Sequence, residues 1–179
     1  MGGGSAQGFS PRFFLSPADR GADRALAPGD AVVLDTEDSH HAARVLRLRM
    51  GDGCEVVTTA GDVFRAEVVT VREPVALTVV ERLRGPEAGA VYRHEVGLVQ
   101  ALARPAVMDY VLEKGTETGA DFFLLVAAAG SPRHGDVGAA RLERWRRIAR
   151  EAAKQSKQTR VPRVDLVSSP AEALRHAQT

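Results

Sequence analysis

The sequence predicts an all-β half followed by an α/β half, and three observations carry that prediction. Cys54–Thr59, Val63–Val71 and Val75–Leu83 are runs of strand length, rich in β-branched residues, separated by the turn-forming triplets Ala60-Gly61-Asp62 and Arg72-Glu73-Pro74. After Val91 the pattern changes to alternating strand-like and helix-like segments. Between the two lies Gly85-Pro86-Glu87-Ala88-Gly89, which has the composition of a linker. These features set the expected boundaries: a Gly-rich tail or tag at 1–10, a small and mostly antiparallel barrel at 11–84, a linker at 85–90, and a parallel α/β region at 91–179.

Arg12-Phe13-Phe14-Leu15 is the first strand candidate. Pro28-Gly29-Asp30 makes a turn into a second, Ala31–Leu34, and Ser39 is the expected N-cap of a short helix before the three strands named above. In the second half, Glu95–Ala101 reads as a strand and Pro105–Thr118 as a helix that Gly119 terminates. Phe122–Ala128 is a continuous apolar run, as a parallel strand covered on both faces requires. A long helix follows from about Gly138 to Lys157, with Leu142, Trp145, Ala149, Ala152 and Ser156 as its inner stripe. Val164–Val167 is a strand, and Ser169-Pro170-Ala171 opens a last helix with Pro at its first position. The order βαβαβα implies a parallel sheet with right-handed crossovers. Three strands make that sheet a thin one, and the expectation is that it is incomplete.

The bulk numbers describe an ordinary globular chain of 179 residues, 44% hydrophobic and 26% charged, with a formal net charge of +1. That small total conceals a local excess, since nine cations stand against two carboxylates between Arg141 and Arg163. An anionic partner feels the local excess rather than the total. Cys54 is the single cysteine, which excludes an intrachain disulfide and a thiolate metal cluster, and its apolar surroundings predict a buried structural thiol. No apolar stretch approaches the ~20 residues that span a bilayer, and MGGGSAQGFS lacks the apolar region of a signal peptide, so the expectation is a cytoplasmic protein.

Dinucleotide, P-loop, zinc-protease and serine-hydrolase fingerprints do not occur in the sequence. Asp109, Glu113 and Glu117 share a helix face, which predicts a solvated acidic face before it predicts acid–base chemistry. His40 and His41 are adjacent and point apart, so they make a poor metal pair. The stretch from Ser39 to Val57 sets the sharper question. His40, Arg44 and Arg47 fall at helical spacing i, i+4 and i+7, and the chain then breaks at Met50-Gly51-Asp52-Gly53. A solvated face, a set of partners for acidic side chains and a seat for phosphates all remain open. In the second half, the macrodipole at a helix C-terminus accounts for Lys154 and Lys157 but not for Arg160, which lies beyond the helix.

At this point the motifs become recognisable. His41-Ala42-Ala43-Arg44-Val45-Leu46-Arg47 followed by Gly51-Asp52 resembles an HxxRVLR…GD element of the ribosomal RNA small subunit methyltransferase E family. Val99-Gln100-Ala101-Leu102, Glu117-Thr118-Gly119-Ala120, and Arg144-Trp145-Arg146-Arg147-Ile148 with Glu151-Ala152-Ala153-Lys154-Gln155-Ser156 and Arg160-Val161-Pro162 are similar to that family in order and spacing. The resemblance runs from about Arg12 to Thr179.

The resemblance implies a PUA-like RNA-binding barrel joined to the first part of a SPOUT-type α/β methyltransferase domain. It further implies S-adenosyl-L-methionine as cofactor, N3 of one uridine in 16S ribosomal RNA or the small ribosomal subunit as target, and a homodimer at full length. The RNA-facing residues it suggests are Arg12, His41, Arg44, Arg47, Arg49, Lys157 and Arg160, with Arg phosphate contacts positioning the substrate and a splayed-out base giving specificity. Two departures accompany it. Arg104-Pro105-Ala106-Val107 stands where the family shows a Lys-Gly-Asp-like loop, and the GPEGG-like and LGxRILRxETA-like segments that tie the family's knot and hold its cofactor do not occur after Val91. The expectation is therefore a truncated, catalytically inactive chain, with the cofactor site beyond Thr179 and no catalytic base assigned. The alternatives are a non-catalytic RNA-binding module, or a protein whose basic helix binds acidic protein or dinucleotide phosphate.

Overall fold

The computed structural model describes residues 10–16, 19, 25–85, 95–128, 130 and 137–177. It divides into two compact units, Met1–Gly89 and Ala90–Thr179. The expected tail at 1–10 and linker at 85–90 lie outside the described residues, apart from Ser10 and Gly85.

The first unit is a curled five-stranded sheet, a half-barrel, built from β1 (Arg12–Phe14), β2 (Ala31–Val33), β3 (Gly53–Val57), β4 (Val63–Thr70) and β5 (Ala76–Arg84). Its order is β1-β3-β4-β5-β2. β1 runs parallel to β3, with Phe13 opposite Val56, and the remaining pairings are antiparallel, which makes the sheet mixed. Three register irregularities between β4 and β5 add the local twist that curls it. Period-two alternation sends Phe64, Ala66 and Val68 inward and Arg65, Glu67 and Val69 outward. The inward set packs with Phe13, Val32, Leu34, Val56, Leu77 and Val79. Cys54 is fully buried in the same core, and burial pushes its thiol up to about 12, so it is the structural thiol its context predicts.

Helix α1 (Thr36–His40) passes without interruption into a π-helical segment, His41–Val45, whose Ala42 joins this core. Its N-cap differs from expectation. Asp35, not Ser39, caps the helix by accepting the Asp38 N–H at 2.8 Å. Ser39 is buried inside the helix, donating to the Leu34 carbonyl at 3.0 Å and accepting the Val75 N–H at 2.9 Å. The physical reason is that Ser39 meets a strand-edge amide on β5's approach, 36 residues away, which local pattern cannot foresee.

The second unit has a three-stranded parallel sheet in the order β6 (Gly97–Ala101), β7 (Phe122–Val126), β8 (Arg163–Val167). α2 (Pro105–Glu117) and α3 (Ala139–Gln155) cover one face, where Met108, Leu112, Trp145 and Ala149 pack on Phe123, Leu125 and Val164. α4 (Pro170–Ala177) covers the other, with Ala173 against Phe122, Leu124 and Val126. All five residues of β7 are therefore buried, which is why its sequence is an unbroken apolar run. Pro105 sits at the start of α2 and Gly119 (φ +93°) ends the turn after it, a left-handed position that suits glycine. Gly97 has a different job. The Phe122 ring lies across it so closely that a Cβ would stand 2.1 Å from a ring carbon.

Candidate nucleic-acid interface

The first unit places three of its cations around a cleft of about 530 Å³ lined by Ala43, Arg44, Arg47, Leu48, Val71, Arg72 and Glu73. One wall comes from the π-helical segment. There the Leu46 N–H reaches back five residues to the His41 carbonyl at 2.9 Å, and the Leu48 N–H six residues to Ala42 at 3.0 Å. Those wide turns change the angular spacing of the side chains. His40, Arg44 and Arg47 consequently do not form the single straight stripe that i, i+4, i+7 predicts. Arg47 leaves the helix altogether and takes a left-handed backbone (φ +54°), which is uncommon without glycine. The opposite wall is the turn between β4 and β5, where Arg72 N–H bonds the Thr70 hydroxyl at 3.3 Å. Glu73 faces Arg44 at 3.4 Å and His40 at 3.7 Å. Nothing in the local sequence signals that a carboxylate 29 residues away answers Arg44.

The other suggested residues fall into three situations. Arg49 is exposed at a turn closed by its own N–H on the Asp52 carboxylate, and His41 is half-buried. Arg160 is exposed, and Lys157 is half-buried with a left-handed backbone (φ +58°) just past the end of α3. Arg12 differs from all of these. Its side chain is buried and ion-paired with Glu55 at 2.7 Å across the β1–β3 ladder, where the two residues are register partners. That placement gives Arg12 a structural role and takes it out of the RNA-facing set.

Four of the nine cations from Arg141 to Arg163 meet carboxylates. Arg144 holds Asp109 of α2 through two bonds of 2.5 and 2.6 Å, and the hydrogen bond to Arg144 keeps the Asp109 carboxyl below its ordinary value. Arg146 meets Glu143 at 2.7 Å and Asp165 at 3.2 Å. Lys154 is nearly buried against Glu151 at 3.0 Å, and Arg163 meets Glu95 at 3.1 Å. Glu113 and Glu117 are exposed to solvent, with Lys114 ion-paired between them. Among the described residues, Arg141, Arg147 and Arg160 keep exposed guanidinium groups without a protein partner. His, Cys, Asp and Glu side chains form no group able to hold a metal ion among the described residues.

A mixed half-barrel with a cation-lined cleft, followed by a parallel sheet with helices on both faces, defines a class that comparison makes specific. An RNA methyltransferase PUA domain model matches residues 34–79, and an RNA methyltransferase domain model matches residues 92–179. The chain belongs to this family of RNA methyltransferases.

Within the family it is similar to proteins named ribosomal RNA small subunit methyltransferase E. It is 34% identical to the one from Mycobacterium bovis over 144 residues, covering 79% of this chain and 53% of that protein. It is 32% identical to the one from Bacillus subtilis over 147 residues, covering 79% of this chain and 56% of that protein. The chain thus spans about half the length of the curated relatives it matches. In fold it matches the Neisseria gonorrhoeae ribosomal RNA small subunit methyltransferase E bound to S-adenosyl methionine, with TM-score 0.72 and 22% identity over 89% of this chain and 62% of that one. A methyltransferase from Legionella pneumophila, in complex with the same cofactor, gives TM-score 0.72 and 18% identity over 89% of this chain and 64% of that one. No helix among the described residues is long and apolar enough to cross a membrane.

Proposed function

We propose that this chain is the RNA-recognising part, with the opening of the catalytic domain, of an S-adenosyl-L-methionine-dependent enzyme that methylates N3 of a uridine in 16S ribosomal RNA. The observation that supports this reading best is the fall of the two family matches, in order, on the two units of the fold. In this reading Arg44 and Arg47 contact phosphates of the small-subunit RNA and fix its register, while a splayed base supplies specificity. Lys157 and Arg160, in the segment that follows α3, are assigned a second RNA contact. Assembly as a homodimer and a cytoplasmic location belong to the same proposal.

The cofactor needs more than these elements. Open parallel sheets bind ligands at the carboxyl ends of their strands where strand order reverses. The described strands run β6-β7-β8 without a reversal, and in this reading the site for S-adenosyl-L-methionine draws on segments other than these. No methyl-transfer step is therefore assigned to them. The reading gives the 179-residue chain RNA binding without turnover by itself, which is also what a non-catalytic RNA-binding module would show.

Two measurements test it. Isothermal titration of S-adenosylmethionine into this chain is expected to give no heat, and micromolar binding overturns the assignment of the cofactor site elsewhere. Nucleoside mass spectrometry of small-subunit RNA, after incubation with the cofactor and a protein extending this chain to the length of its relatives, is expected to show one N3-methyluridine. Methylation at another atom, or of large-subunit RNA alone, refutes the proposed reaction.

A further inference from the structure

We propose that the cleft between the π-helical segment and the β4–β5 turn seats a single nucleotide of single-stranded RNA, with Arg47 and Arg72 on its phosphate and Glu73 accepting a hydrogen bond from its base or ribose. This rests on the RNA reading above and adds Arg72 and Glu73, which neither charge pattern nor resemblance singles out.

The chemistry of the lining carries the assignment. At about 530 Å³ the cleft is far larger than a phosphate needs and falls within the range of small-molecule sites. It carries three guanidinium groups and one carboxylate. Glu73 is engaged by Arg44 and His40, and the exposed guanidinium groups of Arg47 and Arg72 are left without a protein partner among the described residues. These are the two groups able to take a phosphate without first breaking an ion pair. Leu48 and Val71 add apolar surface to the lining, against which a base packs.

Glu73 decides between a nucleotide and a bare polyanion. A carboxylate beside the phosphate seat repels phosphate, so a surface built only for polyanions gains nothing from it. A nucleotide, by contrast, brings N–H and O–H donors that a carboxylate accepts, and such bonds to an ionised group are among the stronger ones. The backbone points the same way. Arg47 is held in an unfavourable left-handed conformation, bracketed by the Leu46 and Leu48 amides bonded back into the helix, and strain of this kind persists where surrounding structure fixes a side chain's direction.

The test compares Arg72→Ala and Glu73→Gln with the unaltered chain, measuring binding to a single-stranded small-subunit RNA fragment and to inorganic polyphosphate over a range of salt. Both side chains are exposed, so thermal midpoints should stay in place and report intact folding. Arg72→Ala is expected to reduce the log–log salt slope for RNA by roughly 0.7, the value of one phosphate on a single strand. Glu73→Gln is expected to tighten polyphosphate and not RNA, lowering the RNA-to-polyphosphate affinity ratio by about tenfold, the scale of one hydrogen bond to a charged group. If Glu73→Gln tightens both ligands equally, or Arg72→Ala leaves the RNA slope unchanged, the cleft is not the nucleotide seat, although RNA binding elsewhere survives. If the unaltered chain does not prefer RNA to polyphosphate, the RNA reading itself falls with the cleft.

Discussion

The two basic stretches of this chain look alike as sequence and behave differently as structure. The stretch on α3 and β8 is the denser, with nine cations against two carboxylates between Arg141 and Arg163, yet carboxylates from elsewhere in the second unit answer much of it. The shorter stretch from His40 to Arg49 has fewer cations, and Glu73 is the one carboxylate lining the cleft it borders. Positive charge counted along a chain therefore overstates the field where the fold brings distant acids back, and understates it where a turn concentrates a few unmatched arginines on one cleft. Asp109 lies 35 residues from Arg144 and Glu95 lies 68 from Arg163, separations at which no helical or strand periodicity operates.

Four experiments probe this contrast. The greatest change is expected in the scaffold of the second stretch. Gly97→Val pushes a side chain into the Phe122 ring, against which the Arg163 guanidinium sits at 5.7 Å, and overpacking of this kind costs roughly 1–3 kcal/mol or more. A clear fall in the thermal midpoint is the expected outcome, and an unchanged midpoint would mean the ring has room to move. Next comes the support of the first stretch. Ser39→Ala strips the buried Val75 amide of its acceptor, at a cost of about 1–3 kcal/mol by denaturant unfolding.

Binding measurements then address the two charged surfaces directly. Arg44→Ala with Arg47→Ala should flatten the log–log salt slope of RNA binding by roughly 0.7–0.9 for each phosphate no longer neutralised, whereas Arg144→Ala with Arg146→Ala should leave it nearly unchanged. Equal effects from the two pairs would erase the difference between the stretches. The smallest effect concerns acid. Because Asp109 is held below its ordinary value of 3.8, the Arg144–Asp109 pair stabilises the fold above that pH, and the contribution disappears as pH falls through the lower, folded-state value. A carboxyl titration followed by NMR should place Asp109 below 3.8, and Arg144→Ala should bring it back up.

Much of this architecture is legible in the sequence because it depends on local pattern. β-branched runs between turn triplets mark β3, β4 and β5, and the buried run Phe122–Val126 marks the central strand of the parallel sheet. Pro105 and Gly119 bracket α2 for reasons of backbone geometry alone. What local pattern does not reveal is pairing across distance. Ser39 has the right chemistry for a helix cap and spends it on Val75 instead, while Asp35 caps. Arg12 looks like surface charge until β1 is set beside β3, which places Glu55 opposite it. The π-helical turns are a similar case, because HAARVLR counts as ordinary helix by spacing, and only the wide hydrogen bonds of Leu46 and Leu48 shift Arg47 toward the cleft. Arg72 and Glu73 have the local chemistry of a turn, and they occupy one, but turn chemistry says nothing of their standing across from Arg44.

The side of the sheet on which α4 lies has a geometric consequence. α2 and α3 share a face, and right-handed connections on that face step the strands one way, from β6 to β7 to β8. α4 packs on the reverse face, so a right-handed connection leaving it turns the direction of growth around. A parallel strand reached in that way arrives beside β6, which among the described residues is bonded on one side only and leaves Leu98 and Val99 about two-fifths exposed, at 38% and 41%. The placement of an eight-residue helix thus works as a compass for the sheet, setting the reverse face toward β6 rather than beyond β8.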